Sequence, residues 1–543
     1  CTELAVGTTP ARYLVAVFSN ATSPNALTDF DIGGNAVGLV PDPVPSLVQA
    51  AARVAPSATP ADAQLRGFEA AHAAFLERER RWYATQRPRG RTLNDAIAVA
   101  PQRAVVVGDT RNFYFTFSAG CNDSTQVIAA KAIYVGTKSI IWEDQANTVQ
   151  SATTSALASN YTRIGQQFDA EQYQTDSANF GDPLRRDAVT DNDGHLQMVF
   201  TQRLNATGAA AYVTGCDQFP RAAITGTFGS NFGEVFYGFV PSVATPNVNN
   251  INAVDGWLAF MGRTVVHEVK HIVSTAARVA NGASTFEESW LEEGTARMAE
   301  EMWARPKIHN SPWKGNTGFG TAGTNGLFCD FALGDATCLA GDAVHRPTWG
   351  LRREFDELLP KLTQPWNWSP YGDGSGQSGS VFYQTTWSLV RYAMDRYATT
   401  EAAFLTALIQ SNSTGIANLS ARAGVPIETI LGGWGLALFA DDYPGLAGAS
   451  ADIQYQTWNL RNIYGGLAAQ PAWAARYPTP FPIAPQQLTF GGFVQRVTGV
   501  RGGAHMFFEI SGTPGTKQLI SIASTTGGGS APGTLRIAIT RLQ

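Results

Sequence analysis

Two histidines and a glutamate in Arg263-Thr264-Val265-Val266-His267-Glu268-Val269-Lys270-His271 have the types and spacing to do chemistry. Residues four apart on an α-helix are separated by about 40° around its axis, so His267 and His271 leave the same face. Two imidazoles so placed can supply two of the three protein ligands of a catalytic Zn²⁺ ion, which keeps one tetrahedral position open for water. Glu268 then points at that open position, where a carboxylate can take the water's proton. The third ligand is expected from another helix, and Glu293 in Trp290-Leu291-Glu292-Glu293-Gly294-Thr295-Ala296 is the candidate. Glu287, Glu288 and Glu292 read as acids on a solvated helix start. With 7 His and 44 acidic residues in the chain, chance writes His-Glu-x-x-His in fewer than about one such sequence in a hundred.

The elements that must position these groups are legible around them. Trp257, Leu258, Phe260, Met261, Val265 and Val266 precede the first histidine, and no Pro or Gly falls between Arg263 and Asn281, which predicts a helix. Strands are expected at 129–135, 139–143, 197–202, 210–214 and 234–239, with a helix between about 148 and 173. Strands mixed with helices ahead of His267 predict an α+β lobe. Helical periodicity returns at 383–397, 401–411 and 427–439, and short strands with Gly/Pro turns begin near residue 485. Toward the N-terminus, 11–18 reads as a strand, 40–61 as a Pro- and Ala-rich connector, and 104–108 and 112–117 as strands. A helix is expected over about 60–86, with Leu65, Phe68, Ala71 and Phe75 on one face and Glu77–Arg81 as a solvated face. The basic loop Arg87–Arg91 follows it. Three domains are therefore expected: a β-rich unit with an inserted helix at 1–127, a central unit at 128–475 (α+β lobe 128–285, helical lobe 286–475), and a small β-sandwich at 480–543.

A net charge of −5 carries no electrostatic footprint for nucleic acid. The longest uncharged apolar run, Thr429 to Ala440, is too short to cross a bilayer. Five cysteines leave one over, and Cys1 has the position of a lipid-carrying cysteine in a mature bacterial lipoprotein. The other four are expected to pair as Cys121–Cys216 and Cys329–Cys338, which needs an oxidising compartment. An extracytoplasmic protein is expected, secreted or anchored at the cell surface through Cys1 alone. The acidic turn Asp187, Asp191, Asn192, Asp193 and Gly194 offers hard oxygen ligands for a structural Ca²⁺. The distal Glu of a full loop is missing there, so a plain β-turn is the simpler reading.

The order of parts resembles the gluzincin zinc metallopeptidases and, within them, looks most like the hyicolysin family, over roughly residues 128–465. The likeness is carried by His267-Glu268-Val269-Lys270-His271, by Trp290 to Ala296, and by a later helix beginning Tyr383-Gln384-Thr385-Thr386-Trp387. It implies a two-lobed, thermolysin-like zincin fold with the cleft between lobes, and endopeptidase activity on protein or peptide substrates. It also implies one Zn²⁺ held by His267, His271 and Glu293, since the residue before the Gly is the ligand in related zincins. Glu268 then matches the general base, and a tyrosine on the later helix faces the metal. Tyr383 is that tyrosine on position, because Tyr392 follows at the family's spacing; Tyr371 is its rival. Two departures stand out: Lys270, expected to reach solvent, and Gln384, where the family has Gly. A surface lipoprotein using its β-rich flanks for adhesion around an inert zincin-like lobe is the alternative, and a non-peptide amide or ester as substrate is a third reading.

Overall fold

The computed structural model describes residues 2–36, 72, 74–85, 103–117, 121, 124–148, 157–220, 229–243, 251–307, 311–319, 350–372, 379–446, 450–525 and 530–543. The expectations for Cys1, for 40–61, for Arg87–Arg91 and for Cys329–Cys338 lie outside these residues.

Strands β1 (Thr2–Ala5), β2 (Ala11–Ser19) and β3 (Leu27–Ala36) open the chain. A helix comes next, described at His72 and over 74–85. Six strands then form one sheet: β4 (Thr110–Tyr114), β5 (Val127–Val135), β6 (Ser139–Asp144), β7 (Leu196–Phe200), β8 (Ala211–Val213) and β9 (Val235–Gly238). Their order is β4-β5-β6-β7-β9-β8. The two central pairings, β6 with β7 and β7 with β9, are parallel, and β8 runs antiparallel to β9 at the edge. Residues 104–108, expected as a strand, form a turn instead, because Asp109 accepts the Val106 amide and draws the chain round.

The last strands are β10 (Gln486–Thr489), β11 (Phe493–Arg501), β12 (His505–Gly512), β13 (Lys517–Ala523) and β14 (Leu535–Arg541). They pair with the first ones, in sheets ordered β1-β13-β3-β11 and β10-β12-β2-β14. This departs from the expected separate domains at 1–127 and 480–543. The two chain ends make one sandwich, and β4 belongs to the six-stranded sheet. The reason is visible in β2, which is buried on both faces and so cannot lie at a domain surface. Val15 and Val17 face the sandwich interior, while Leu14, Ala16 and Phe18 enter the helical core. Burial of each such large side chain is worth about 1.5–3 kcal/mol.

Among the described residues the architecture is thus α+β, three sheets with a helical cluster. Its longest helix, Val254–Ala280, separates two cores. Trp257, Met261, Val265, Val269 and Ile272 pack with the six-stranded sheet. Val266, Val273 and Ala277 pack with the helices Ser289–Lys307, Gly350–Thr363 and Gly379–Tyr397. A helix apolar on two sides leaves only its charged stripe to face a cavity, and that stripe holds His267, Glu268 and His271. Gly294 lets Ser289–Lys307 lie close to Gly379–Tyr397, because any side chain there would collide with Thr386.

Candidate metal centre

His267 and His271 leave one face of their helix, with ring centres 5.0 Å apart. The Ser289–Lys307 helix crosses that face and delivers Glu293, which is fully buried. His267 Nε2 lies 3.3 Å from Glu293 Oε2, and His271 Nε2 lies 4.0 Å from the same oxygen. A fourth group, His72, enters from the 74–85 helix, with Nδ1 3.2 Å from Glu293 Oε1 and Nε2 3.5 Å from Glu268 Oε2. Ligand atoms about 2.0–2.1 Å from a tetrahedral ion sit roughly 3.3 Å apart. His72, His267, His271 and Glu293 each offer a ligand atom to one cluster.

The hydrogen bonding fits a cation better than a bare polar pocket. Both Glu293 oxygens, His271 Nε2, His72 Nε2 and Glu268 Oε2 are buried, and the polar contacts they make are with one another, His72 Nδ1 and His267 Nε2. Buried polar atoms are ordinarily paired, and each orphan costs about 1–3 kcal/mol. A cation held between the imidazoles and Glu293 would satisfy buried atoms that otherwise meet only one another. The donor set, imidazoles with a carboxylate, is that of Zn²⁺.

The far ring nitrogens are fixed by carboxylates. His267 Nδ1 is 2.7 Å from Glu300 Oε1, and His271 Nδ1 is 2.7 Å from Glu292 Oε1. Each therefore turns Nε2 toward the centre. Glu300 is itself gripped by Arg263 at 2.5 Å and Arg297 at 3.1 Å. Burial alone would push its acid strength down, but the two guanidiniums and His267 hold its pKa below the usual range. Burial likewise opposes the charge on Glu293, yet His72, His267 and His271 keep that carboxylate well below its ordinary value. Desolvation would lower His267, and the Glu293 and Glu300 carboxylates reverse this, raising it to about 9. His72 is also raised against the effect of burial, by Glu268 and Glu293.

Two expectations about charged residues are corrected here. Lys270 does not reach solvent: it is fully buried, 2.8 Å from Glu292 Oε1, and donates to the Glu292 carbonyl. Its ammonium is neutralised by the carboxylate that orients His271, so it does not confront the cation directly. Burial lowers its pKa against the pull of Glu292. Glu292 and Glu287 are likewise not on a solvated helix start. Glu292 is drawn to about 2 by Lys270 and His271 despite its burial, and Glu287 is buried against Arg278 at 2.6 Å. Glu288, half-buried, accepts from the Trp290 indole.

Tyr383 lines a cavity shared with His72, His267, Glu268, Arg297 and Arg353, and the Arg297 guanidinium lies over its ring. Tyr371 packs edge-on against Trp290 and is not among the residues lining that cavity. Gln384, the departure from Tyr-Gly, donates to the buried Glu354. Cys121 and Cys216 form a disulfide, with Cα atoms 5.6 Å apart. In the acidic turn, Asp187 accepts the amides of Asp193 and Gly194, as a turn requires. Its oxygens also gather with those of Asp191 and of Glu234, which arrives from a neighbouring segment.

Two participants had escaped the sequence reading. Glu300 lies seven residues after Glu293, two helical turns on and thus on the same face; that periodicity was the available signal. His72 had none, since no local pattern links it to residues almost two hundred positions away. Set beside known proteins, the chain matches no family model and no curated protein.

Proposed function

We propose that the chain is a zinc-dependent endopeptidase of the gluzincin type, with His267, His271 and Glu293 as the catalytic ligand set. The observation that carries this reading is the convergence of buried imidazole and carboxylate atoms of His72, His267, His271 and Glu293 beside a further buried carboxylate, Glu268. When bound, Zn²⁺ acidifies water and polarises a scissile carbonyl. Glu268 accepts the proton of the attacking water and later passes it to the leaving amine. The Tyr383 hydroxyl donates to the oxyanion of the tetrahedral state from the same cavity. Glu300 and Glu292 keep the two imidazoles oriented through the cycle.

A peptide is the favoured substrate because of the sheet edge. Ala210 and Ala211 line the cavity where edge strand β8 begins, and an extended chain can pair with such an edge. The rival reading, an inert binding module, draws support from His72, since four protein ligands are the arrangement of structural zinc.

The test is elemental analysis joined to casein hydrolysis. About one zinc per chain is expected, lost in Glu293→Ala. Glu268→Gln should keep the zinc and lose hydrolysis. A protein that binds no zinc would sink the reading, and a Glu268→Gln form that still cuts casein would remove Glu268 as the base.

A further inference from the structure

We infer that His72 is a fourth protein ligand that keeps this chain latent, a regulation that rests on the zinc endopeptidase reading. A catalytic zinc site has three protein ligands and an open position. Here His72 is buried among the other three, with Nδ1 3.2 Å from Glu293 Oε1 and Nε2 3.5 Å from Glu268 Oε2. Its Nε2 takes up the side of Glu268 from which that carboxylate would accept a water's proton.

The ring is delivered by a built seat. Phe75, one turn on, stacks on Phe117 at 5.2 Å and meets Tyr212 of β8 edge-on at 5.4 Å. Arg78 donates to the Phe117 carbonyl. Glu79 is buried and accepts from the Thr214 hydroxyl and the Gly215 amide, just past β8. Tyr83 stacks on Phe286 at 4.1 Å and donates to the Ala283 carbonyl. The helix therefore covers the strand edge that a peptide would use. It also lines two cavities: His72 borders the one holding Tyr383, and Leu76 and Glu79 border a second with Val213, Gly215 and His271.

The blocking helix is internal to the fold. It falls between β3, which lies between β13 and β11, and β4, at the edge of the six-stranded sheet. A leader shed from the N-terminus would take β2 out from between β12 and β14, so latency is relieved by lifting the 74–85 helix, or by cutting around it while β1–β3 stay paired. A tethered ligand of this kind competes at an effective concentration near the millimolar range.

The experiment compares the full chain with His72→Asn and His72→Ala after Zn²⁺ and Co²⁺ loading, using acetohydroxamate as the probe of an open position. Asn keeps polarity and much of the volume, which guards against misfolding. The expected result is a Co²⁺ absorption spectrum that acetohydroxamate leaves unchanged in the parent and shifts in both variants. Hydroxamate affinity and casein hydrolysis should each rise about tenfold or more, as the competent fraction rises. If the parent binds zinc and is already as hydroxamate-sensitive and as active as the variants, latency is overturned while the peptidase reading stands. If the variants lose zinc and gain no activity, His72 is a structural ligand and latency is again overturned. If neither parent nor variants bind zinc, the peptidase reading itself falls.

Discussion

His267 Nδ1 and Glu300 Oε1 are 2.7 Å apart, and the Glu300 side chain that makes this contact is held by Arg263 and Arg297. The carboxylate thus fixes the tautomer and heading of a ring that faces the metal centre. Glu300→Gln should weaken zinc binding about 10–100-fold, measured by competition with a chromophoric chelator. Unchanged affinity would show that the imidazole is oriented by packing alone.

Lys270 and Glu292 form a buried pair. Lys270→Met leaves the buried Glu292 carboxylate with His271 alone, and the loss should approach about 3 kcal/mol. The double variant Lys270→Met, Glu292→Gln should recover much of it. Urea denaturation of the four members of the cycle checks this, and additive losses would mean the pair is not coupled.

Tyr383 enters the cavity through its place on Gly379–Tyr397. Removing one oxyanion donor costs about 10²–10³ in turnover. In the His72→Asn chain, where the site is open, adding Tyr383→Phe should therefore lower kcat on a peptide substrate by that order, with zinc content and KM little changed. Tyr371→Phe should leave kcat near the parent value.

The hold of the 74–85 helix should depend on pH through Glu79. Burial is the largest influence and raises its pKa from 4.5 to about 7, against the opposing effects of Gly215, Thr214, Arg78 and His72. Buried Asp217 nearby is raised to about 8 by burial, with Glu79 adding to it. A carboxyl raised on folding favours its neutral form, so its contribution is full below about pH 4.5 and is lost as the pH climbs through about 7. A shift of this size corresponds to on the order of 3 kcal/mol. Thermal melts between pH 4 and 9 should show stability falling between about pH 4.5 and 7 and levelling above, and Glu79→Gln should flatten the fall. An identical slope in the variant would place the titration elsewhere.

How far the chain could be read without coordinates follows the range of the forces involved. Local periodicity was enough for the Val254–Ala280 helix and for the shared face of His267 and His271, because helix geometry depends only on residues within a turn or two. The Gly379–Tyr397 and Ile427–Ala440 helices were legible for the same reason. The burial of Lys270 was not, since Glu292 reaches it from another helix and nothing in the local pattern announces a partner.

Strand pairing shows the same division more sharply. Sequence alone determined that both chain ends are strand-rich; only the tertiary structure decided that they share two sheets, because a strand's partner is chosen by distant backbone groups. His72 is the extreme case. A single histidine on a helix carries no mark of its destination until packing of Phe75, Glu79 and Tyr83 against β8 and the Phe286 segment sets it beside Glu293.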